Sequence, residues 1–434
     1  MPEQVLTVDL GAVHDRDFSQ LAQGLVGSEV LRIAAEIRAF VAEGHAVCNL
    51  TVGDFDPKEY PAPEALITGI ERALRAGHTG YPPSNGMPEL RQAVAGFLER
   101  EAGLVYPVES VLIAAGARPL IYATYRALVD AGDPVAFPVP SWNNNHYCSL
   151  VGATAVPIAV NRASRFHPTA AAVREVLGRI RLLALCTPLN PTGTSIAPEV
   201  LAEICRDLVA ENRRRETAGE RPVFLMFDMV YWSLEFDRAN PLTPAILVPE
   251  VAPYTIMLDA ISKSLASTGL RVGWAFGAPT LIKRMSDFLG HVGAWAPRAE
   301  QVATAAFISD TEAFDAFRAG MQLRLRQRLE LLHETFTKLN AEGHPVESVR
   351  PEGTLYLSAR FDLFGRTIDG VTIRTNEDLR RVLLHSAGLA VVPFQAFGLS
   401  DETGWVRLSV GAVSVASVEQ GIERLRTLLE KHRG

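Results

Sequence analysis

The residues best suited to chemistry lie in one stretch, 259–274, which contains a lysine and, further on, an arginine flanked by glycines. Lys263 follows the apolar run 255–258 and stands among small and hydroxyl residues. A lysine that is desolvated by its surroundings becomes a competent amine nucleophile, and Arg271 can bring its guanidinium close to a phosphate. The stretch predicts a site for a covalently held, phosphorylated carbonyl compound. A chance pairing of the two residues in an ordinary loop is the alternative.

Pyridoxal phosphate (PLP) is a compound of this type, and Lys263 would hold its aldehyde as a Schiff base and later move the α-proton of a substrate. Asp228 ends the apolar run 223–227. Because burying an unpaired carboxylate is expensive, the protonated nitrogen of the pyridine ring is a fitting partner. Tyr231 could donate its phenol to a ring oxygen. A turn or helix cap at Asp228 and a packed core position for Tyr231 are the structural alternatives.

Two loops and one tryptophan add candidate binding groups. Asn190 opens the string NPTG, where its amide could bind the phenolate oxygen of the cofactor and a substrate carboxylate. Residues 116–118 precede a predicted helix, 119–129, whose first N–H groups could bind an anion. Trp142 could stack on a flat ring. Ordinary turns and a packing role for the tryptophan are the alternatives.

Arg407 lies inside the apolar run 405–410. An arginine there must be paired, either by a bidentate grip on a substrate carboxylate or by an internal salt bridge. The chain lacks the G-x-G-x-x-G after a strand, the P-loop, H-E-x-x-H and G-x-S-x-G. Interpretations as a dehydrogenase, an NTPase, a metalloprotease or an α/β-hydrolase therefore lack their parts.

The composition is that of a globular protein, with 434 residues, 48% hydrophobic and 21% charged, and the length suggests roughly two or three domains. A net charge of −7 argues against nucleic acid as a partner. The four cysteines have no zinc-site spacing, and they predict free thiols in a cytoplasmic protein and no metal site. Neither a signal peptide nor a membrane-spanning segment is expected.

Short apolar runs alternate with helical patterns as far as about residue 310. The runs predict strands near 47–52, 111–115, 135–137, 153–158, 182–186, 223–227 and 255–258. Such runs are typical of a mostly parallel sheet that is buried on both faces, and ligands bind at the carboxyl ends of its strands. The unusual polar loops all follow such ends.

After about residue 310 the pattern changes. A long helix is predicted over 311–339, with strands near 354–360, 390–393 and 405–410 and helices near 376–386 and 418–431. Near the N-terminus a helix is predicted over 28–40, with Ser28 as its cap. The predicted fold class is α/β: a three-layer large domain, 61–310, with a mostly parallel sheet, and a smaller α+β domain built from 1–60 and 311–434.

Taken in order, these features resemble the class I/II aminotransferases of PLP fold type I, in particular aspartate aminotransferases, over about residues 28–430. The motifs that carry the resemblance are Tyr81, G-x-P-E-L-R at 86–91, Gly116-Ala117, N-P-T-G at 190–193, Asp228-x-x-Tyr231, S-K-x5-G-x-R-x-G at 262–273, and Arg407.

The resemblance implies an enzyme that binds pyridoxal 5′-phosphate, with Lys263, Asp228 and Tyr231 as catalytic residues. Its implied cofactor-binding residues are Lys263, Asp228, Tyr231, Asn190, Trp142, Ala117, Arg118, Ser262, Arg271 and Tyr81. Of these, Ala117, Arg118, Ser262 and Arg271 would hold the phosphate.

Tyr81 would reach the phosphate of a neighbouring subunit, which implies a homodimer with shared active sites. Arg407 would grip the α-carboxylate of the substrate, with Asn190, Gly53 and Trp142 around it. The implied reaction moves an amino group from an amino acid, with aspartate or another acidic donor as the first choice, to a 2-oxo acid such as 2-oxoglutarate.

Three departures from the family pattern concern the substrate and the phosphate. Many relatives carry a serine where Ala260 stands, so one phosphate hydroxyl is missing. Arg118 replaces a lysine, glutamine or threonine, and could bind either the phosphate or a distal carboxylate. Trp295 lies in the segment 293–297, which relatives pass across the dimer, and could shape the neighbour's pocket.

Three alternatives remain open from the sequence. One keeps the cofactor and changes the reaction to that of a β-lyase, a decarboxylase or a cyclising synthase. Another is a PLP-sensing regulator fused to a winged-helix DNA reader, but the short segment before the fold is not basic. The third is an inactive scaffold, against which the intact Lys263 argues.

Overall fold

The computed structural model describes residues 10–25, 27, 29–237 and 242–432. Within them the α-helices, numbered α1 to α15 in chain order, are Gln20–Gly24, Glu29–Ala42, Glu64–Arg75, Pro88–Ala102, Ala117–Leu128, Asn144–Val151, Ala170–Leu177, Pro198–Ala218, Pro244–Leu247, Ile261–Ser264, Pro279–Val292, Arg298–Ser309, Thr311–Ala341, Asn376–Ala387 and Val415–Lys431. The strands, numbered β1 to β15, are Cys48–Asn49, Val111–Ala114, Pro134–Val139, Thr154–Ala159, Leu182–Cys186, Phe224–Asp228, Thr255–Ala260, Gly273–Phe276, Val346–Ser348, Tyr356–Phe361, Thr367–Ile368, Val371–Thr372, Leu389–Ala390, Val392–Pro393 and Trp405–Ser409. Short 3-10 helices cover Asp15–Asp17, Val108–Ser110, Arg162–Ser164, Trp232–Leu234, Pro249–Tyr254 and Phe394–Phe397.

The larger sheet has seven strands in the order β2-β8-β7-β6-β5-β3-β4. The pairs from β7 to β4 are parallel, whereas β8 is antiparallel to both of its neighbours. The predicted α/β fold with a mostly parallel central sheet is therefore confirmed. Strand β8 was not predicted, because its four residues begin with a glycine and follow the phosphate-type loop directly. Its pairing with β2 and β7, which lie far apart in the sequence, makes it a strand.

Helices cover both faces of the larger sheet, because side chains alternate along each strand. In β5, Leu183 and Leu185 belong to the apolar cluster that also contains α4, α8 and α12. Leu182 and Ala184 belong to the cluster on the other face, which contains α5, α6 and α11. The result is three layers, and only the ends of the strands are open to a ligand.

A second sheet is antiparallel, in the order β14-β15-β10-β9, and packs against the long helix α13 and against α15. Its apolar cluster includes Leu50 and Tyr60 from the N-terminal segment together with Leu329 and Leu408. The predicted strand near 47–52 is reduced to β1, which pairs in parallel with β13. The two ends of the chain thus meet in one core.

Helix boundaries near the strand ends matter most for function. Helix α5 begins at Ala117, earlier than predicted, because Gly116 with φ 83° turns the chain directly from β2 into the helix. Pro119 fits there, since the first helical N–H groups need no partner within the helix. The predicted cap Ser28 lies outside the described residues. Among the described residues, no helix has the length and apolar character needed to cross a membrane.

Candidate active site

A cavity of about 560 Å³ lies where the carboxyl ends of β5, β6 and β7 face β15 of the second sheet. The predicted site residues that line it are Gly53, Ala117, Arg118, Trp142, Asn190, Asp228, Tyr231, Ser262, Lys263, Arg271 and Arg407. They come from distant parts of the sequence, and the fold brings them together. Tyr81 is the predicted site residue that does not line the cavity.

Lys263 lies in the short helix α10, directly after β7. Its Nζ donates a hydrogen bond of 2.6 Å to the carbonyl oxygen of Gly53 and lies 5.8 Å from the ring centroid of Phe55. The N-terminal segment thus holds the amine over the cavity through a neutral acceptor. No carboxylate in the described part of the chain forms an ion pair with this amine, so an incoming aldehyde would not have to displace one.

Asp228 is a carboxylate with too few partners for its burial. Among the described residues, its side chain accepts one hydrogen bond, 3.1 Å from the N–H of Val230. Burial raises the pKa of Asp228 to about 6, and the Val230 hydrogen bond only partly opposes this rise. A cation placed beside the carboxylate would restore its ionised form.

A line of hydrogen bonds crosses the cavity wall from one sheet to the other. Arg407 donates to Oδ1 of Asn190 at 3.2 Å, and Nδ2 of Asn190 lies 3.4 Å from the hydroxyl of Tyr231. That hydroxyl is 3.3 Å from the hydroxyl of Tyr356. The line fixes the side chains of both sheets against each other and leaves its polar atoms at the cavity surface.

Arg407 is 1% exposed and forms no ion pair with a carboxylate of the described residues. It donates to Asn190 and, at 2.7 Å, to the carbonyl oxygen of Thr51. Its Nε has no hydrogen-bond partner among the described residues. Its guanidinium lies over the rings of Tyr356 and Phe397, at 4.6 and 4.9 Å. Burial lowers its pKa. The internal salt bridge that the sequence left open is therefore not formed within the described chain.

A cup whose shape and charge suit an anion lies at the start of α5. A Cβ on Gly116 would come within 2.4 Å of Nη2 of Arg271, and one on Gly273 within 2.7 Å of the Gly116 carbonyl carbon. Both positions require glycine so that backbone N–H groups and the guanidinium can share one space. Arg271 donates to the carbonyl oxygens of Thr268 and Ala115 at 2.7 and 2.8 Å. Burial and then the charge of the nearby Arg118 lower the pKa of Arg271, and both side chains line the cavity.

Comparison with known proteins identifies the family of this chain. The family model "Aminotransferase class I and II" matches residues 45–425 of the chain.

The chain belongs to the class I and II aminotransferases.

Two curated relatives illustrate the similarity over nearly the full length. An aspartate aminotransferase of Geobacillus stearothermophilus is 27% identical over 409 residues, which are 94% of this chain and 97% of the relative. A probable aspartate/prephenate aminotransferase of Thermus aquaticus is 29% identical and covers 96% of this chain and 100% of the relative.

Solved structures give the same result for the fold. The aspartate aminotransferase of Rhizobium meliloti superposes with a TM-score of 0.86 at 27% identity, over 95% of this chain and 98% of the other. The Thermus thermophilus enzyme with maleate gives 0.83 at 26% identity, over 95% and 99%. The chain is therefore a PLP-dependent aminotransferase of fold type I.

The residues of this aminotransferase fit its cofactor. The under-satisfied carboxylate of Asp228 suits a protonated pyridine nitrogen, and the glycine-walled cup with Arg271 suits a phosphate. Lys263 lines the same cavity. Ala260, where the resemblance implied a serine, is fully buried in the apolar cluster of the second sheet.

The site of the aminotransferase also contains residues that the sequence did not single out. Tyr356 lines the cavity, but in sequence it was an ordinary aromatic residue of a predicted strand. Thr268 donates to Oδ1 of Asp54 at 2.6 Å and so ties the arginine loop to the N-terminal segment. No sequence signal could have predicted the contact between Thr268 and Asp54, because the two residues are far apart along the chain.

Three aromatic residues have different positions. Trp142 lines the cavity, and the guanidinium of Arg118 lies 5.5 Å from its ring centroid. Tyr81 is 84% exposed and meets the edge of Trp295 with 5.2 Å between ring centroids. The predicted pair of dimer residues, Tyr81 and Trp295, therefore lies together outside the cavity of its own chain.

Proposed function

We propose that this aminotransferase takes its amino group from an acidic amino acid, with aspartate as the first choice, and passes it to a 2-oxo acid such as 2-oxoglutarate. The choice of an amino acid as substrate rests on Arg407, a buried cation on the wall of the lysine cavity that forms no ion pair with a carboxylate of the described residues and could bind an α-carboxylate. Arg118, a second cation at the same cavity, supports a donor with two carboxylates. The relatives named aspartate aminotransferase support the same choice.

Seven residues would hold the ring and the phosphate of the cofactor in this proposal. Asp228 would pair with the ring nitrogen, Asn190 and Tyr231 would bind the ring oxygen, and Trp142 would stack on the ring. Ser262 and Arg271, with the N–H of Ala117, would bind the phosphate. When bound, the cofactor supplies an aldehyde that links to an amine and a protonated ring that withdraws electrons.

Arg118 has two uses that exclude each other. It could replace the phosphate hydroxyl that Ala260 lacks, or it could bind the distal carboxylate of the donor. Its position over Trp142, and the effect of its charge on Arg271, support the phosphate side as its resting place. We propose that a distal carboxylate competes for the same guanidinium.

The chain's own chemistry is binding and proton transfer. Arg407 would orient the substrate through its α-carboxylate, near Gly53 and Asn190, so that the Cα–H bond faces Lys263. The Nζ of Lys263 would then accept the proton from the substrate Cα and deliver it back on the cofactor side. Asp228 would be ionised beside the bound ring and would thereby keep the proton on the ring nitrogen.

We also propose that two copies of the chain form a homodimer with shared sites. Tyr81 is largely exposed, and its ring contacts that of Trp295 edge-on. An exposed side chain in this position is suited to contact a second copy of the chain. The phosphate of the neighbouring subunit is the proposed target of Tyr81. The domain limits 1–60, 61–310 and 311–434 and the cytoplasmic location stay predictions.

A half-reaction tests this function. The purified protein with PLP is mixed with aspartate, glutamate or a neutral amino acid such as leucine, and the visible absorbance is followed. We expect aspartate to convert the cofactor to its amino form, with an equal amount of 2-oxo acid. Unequal amounts would indicate a β-lyase, a decarboxylase or a cyclising synthase instead.

Lys263→Ala is the matched control. We expect this variant to bind PLP without a covalent link and to show no conversion. Conversion by leucine but not by either acidic donor would contradict the proposed substrate class, and the aminotransferase assignment would still stand.

A further inference from the structure

Asp259 lies within the lysine stretch, yet the proposed function gives it no role. Its side chain is 2% exposed and lies on the sheet face opposite the cavity wall, since its strand neighbour Leu258 packs with Met226 on the α5 side. Asp259 instead borders a space of only about 10 Å³ beside Phe97 and Trp274. A space of this size is at the lower limit for one water molecule, so the carboxylate depends on protein donors.

Two N–H groups satisfy this carboxylate. Oδ2 accepts from the indole Nε1 of Trp232 at 2.9 Å, and Oδ1 accepts from the backbone N–H of Ala260 at 2.7 Å. The nearby Glu101 pairs with Arg100 and Arg318, and no described basic residue forms an ion pair with Asp259. Burial raises the pKa of Asp259 to about 7, the two hydrogen bonds oppose the rise, and the charge of Asp228 adds to it.

The two donors connect two catalytic segments. Trp232 directly follows Tyr231, and Ala260 is the last residue before the helix that carries Lys263. Backbone pairing fixes the start of the tyrosine loop, where the N–H of Met229 donates to the carbonyl oxygen of Leu258. The Asp259–Trp232 bond is a further tie between the two segments.

We propose that Asp259 is a positioning residue that holds the Tyr231 loop at a fixed place relative to Lys263 from behind the sheet. The hydroxyl of Tyr231 has two hydrogen-bond contacts with described residues, both long, at 3.3 Å to Tyr356 and 3.4 Å to Asn190. Its position therefore depends on its backbone. Loosening Trp232 would therefore move the phenol of Tyr231 from the position in which it would donate to a ring oxygen of the bound cofactor. This inference rests on the proposed cofactor site.

The test uses Asp259→Asn and Trp232→Phe, each as the full-length protein loaded with PLP. An asparagine can accept only one of the two N–H groups, and a phenylalanine keeps the packing but removes the indole donor. We expect both variants to shift the pH titration of the visible band of bound PLP in the same direction as Tyr231→Phe. Both should also raise the Kd for PLP roughly tenfold, the size of one lost hydrogen bond to a buried group.

Asn212→Ala is the matched structural control. Asn212 is a buried polar residue that makes two side-chain hydrogen bonds to the backbone of Val223, just before β6, at 2.9 and 2.7 Å. It lies at the opposite end of the sheet from the cavity. We expect this variant to unfold at lower urea concentration while the titration of the PLP band stays at its wild-type position.

The outcomes separate the two levels of inference. If Asp259→Asn and Trp232→Phe behave like Asn212→Ala, with lower stability and an unchanged PLP band, the positioning role is wrong. If Asp259→Asn fails to fold, Trp232→Phe alone decides, because it removes the same bond from the other side. If the wild-type protein binds no PLP at all, the proposed cofactor site itself is overturned.

Discussion

Two equally buried arginines show how the site differs from the rest of the molecule. Arg380 and Arg407 are each 1% exposed. Arg380 donates to Glu377 at 2.8 Å and to Glu36 at 2.6 Å, and so ties α14 to α2. Within the described part of the chain, Arg407 donates only to neutral oxygens, those of Asn190 and Thr51.

The pKa values of the two guanidinium groups follow this difference. Burial lowers both, but at Arg380 the two glutamates outweigh burial and the net pKa is raised. At Arg407 the pKa is lowered. A buried cation whose partners are built in contributes to the fold, whereas one whose carboxylate must arrive is suited to binding.

Substitution of each arginine by methionine should have opposite effects on activity and on stability. For Arg407→Met we expect kcat/KM for an acidic donor to fall by roughly 10³-fold, because the substrate carboxylate loses its buried cation. The free energy of unfolding should change little, since no carboxylate is left unpaired. Steady-state kinetics and urea unfolding measure the two effects. A large loss of stability with unchanged kinetics would mean that Arg407 is structural.

For Arg380→Met we expect the reverse. Glu377 and Glu36 lose their shared partner, and the free energy of unfolding should fall by about 3 kcal/mol. The kcat/KM of the folded enzyme should stay near the wild-type value, because Arg380 does not line the cavity. Urea unfolding followed by fluorescence gives the first quantity. Equal stability of wild type and variant would contradict the role assigned to this ion-pair cluster.

Asp228→Asn extends the comparison to an acidic residue with a missing partner. The pKa of Asp228 is raised to about 6, whereas an unfolded aspartate titrates near ~3.9. Between these values the folded apo-protein binds more protons, so its free energy of unfolding falls as the pH rises through this window. The variant should lose this part of the pH dependence, while its affinity for PLP falls.

Unfolding of the apo-protein at about pH 4.5 and 7 measures this change. Asp259 also titrates in a raised range and adds a slope of the same sign, so the difference between wild type and variant is the relevant quantity. An identical pH dependence in both proteins would show that Asp228 is not the group responsible.

Arg118→Gln should give the smallest effect of these substitutions, and it tests which group Arg118 binds in the cavity. If Arg118 binds the distal carboxylate, KM for aspartate should rise roughly tenfold, which corresponds to the loss of one partly exposed charged hydrogen bond. KM for a neutral donor should not change. If it binds the phosphate, the Kd for PLP should rise instead. Kinetics with both donors and a PLP titration distinguish the two uses.

Much of the fold could be predicted because strongly apolar strands carry their own signal. The runs at β5, β6 and β7 are buried on both faces and need no knowledge of their neighbours to be recognised. Strand β8 could not be predicted, because Gly273–Phe276 is a strand only through its pairing with β2 and β7. The helix start at Ala117 likewise depends on the turn at Gly116.

The types of charged residue at the site could be predicted from the sequence alone. A lysine after an apolar strand, an aspartate at a strand end and an arginine inside a strand are unusual in those places, because burying their charges is expensive. Their order along the chain predicted a class I/II aminotransferase, which the family match confirms.

The partners of those charged side chains depend on the tertiary structure. The sequence allowed an internal salt bridge at Arg407, whereas in the structure this side chain on β15 donates to Asn190 and Thr51. Tyr356 and the Asp259–Trp232 bond became visible only when distant segments met across the sheet. The physical reason is that a pairing free energy depends on distance and burial in three dimensions, and neither is written in the local sequence.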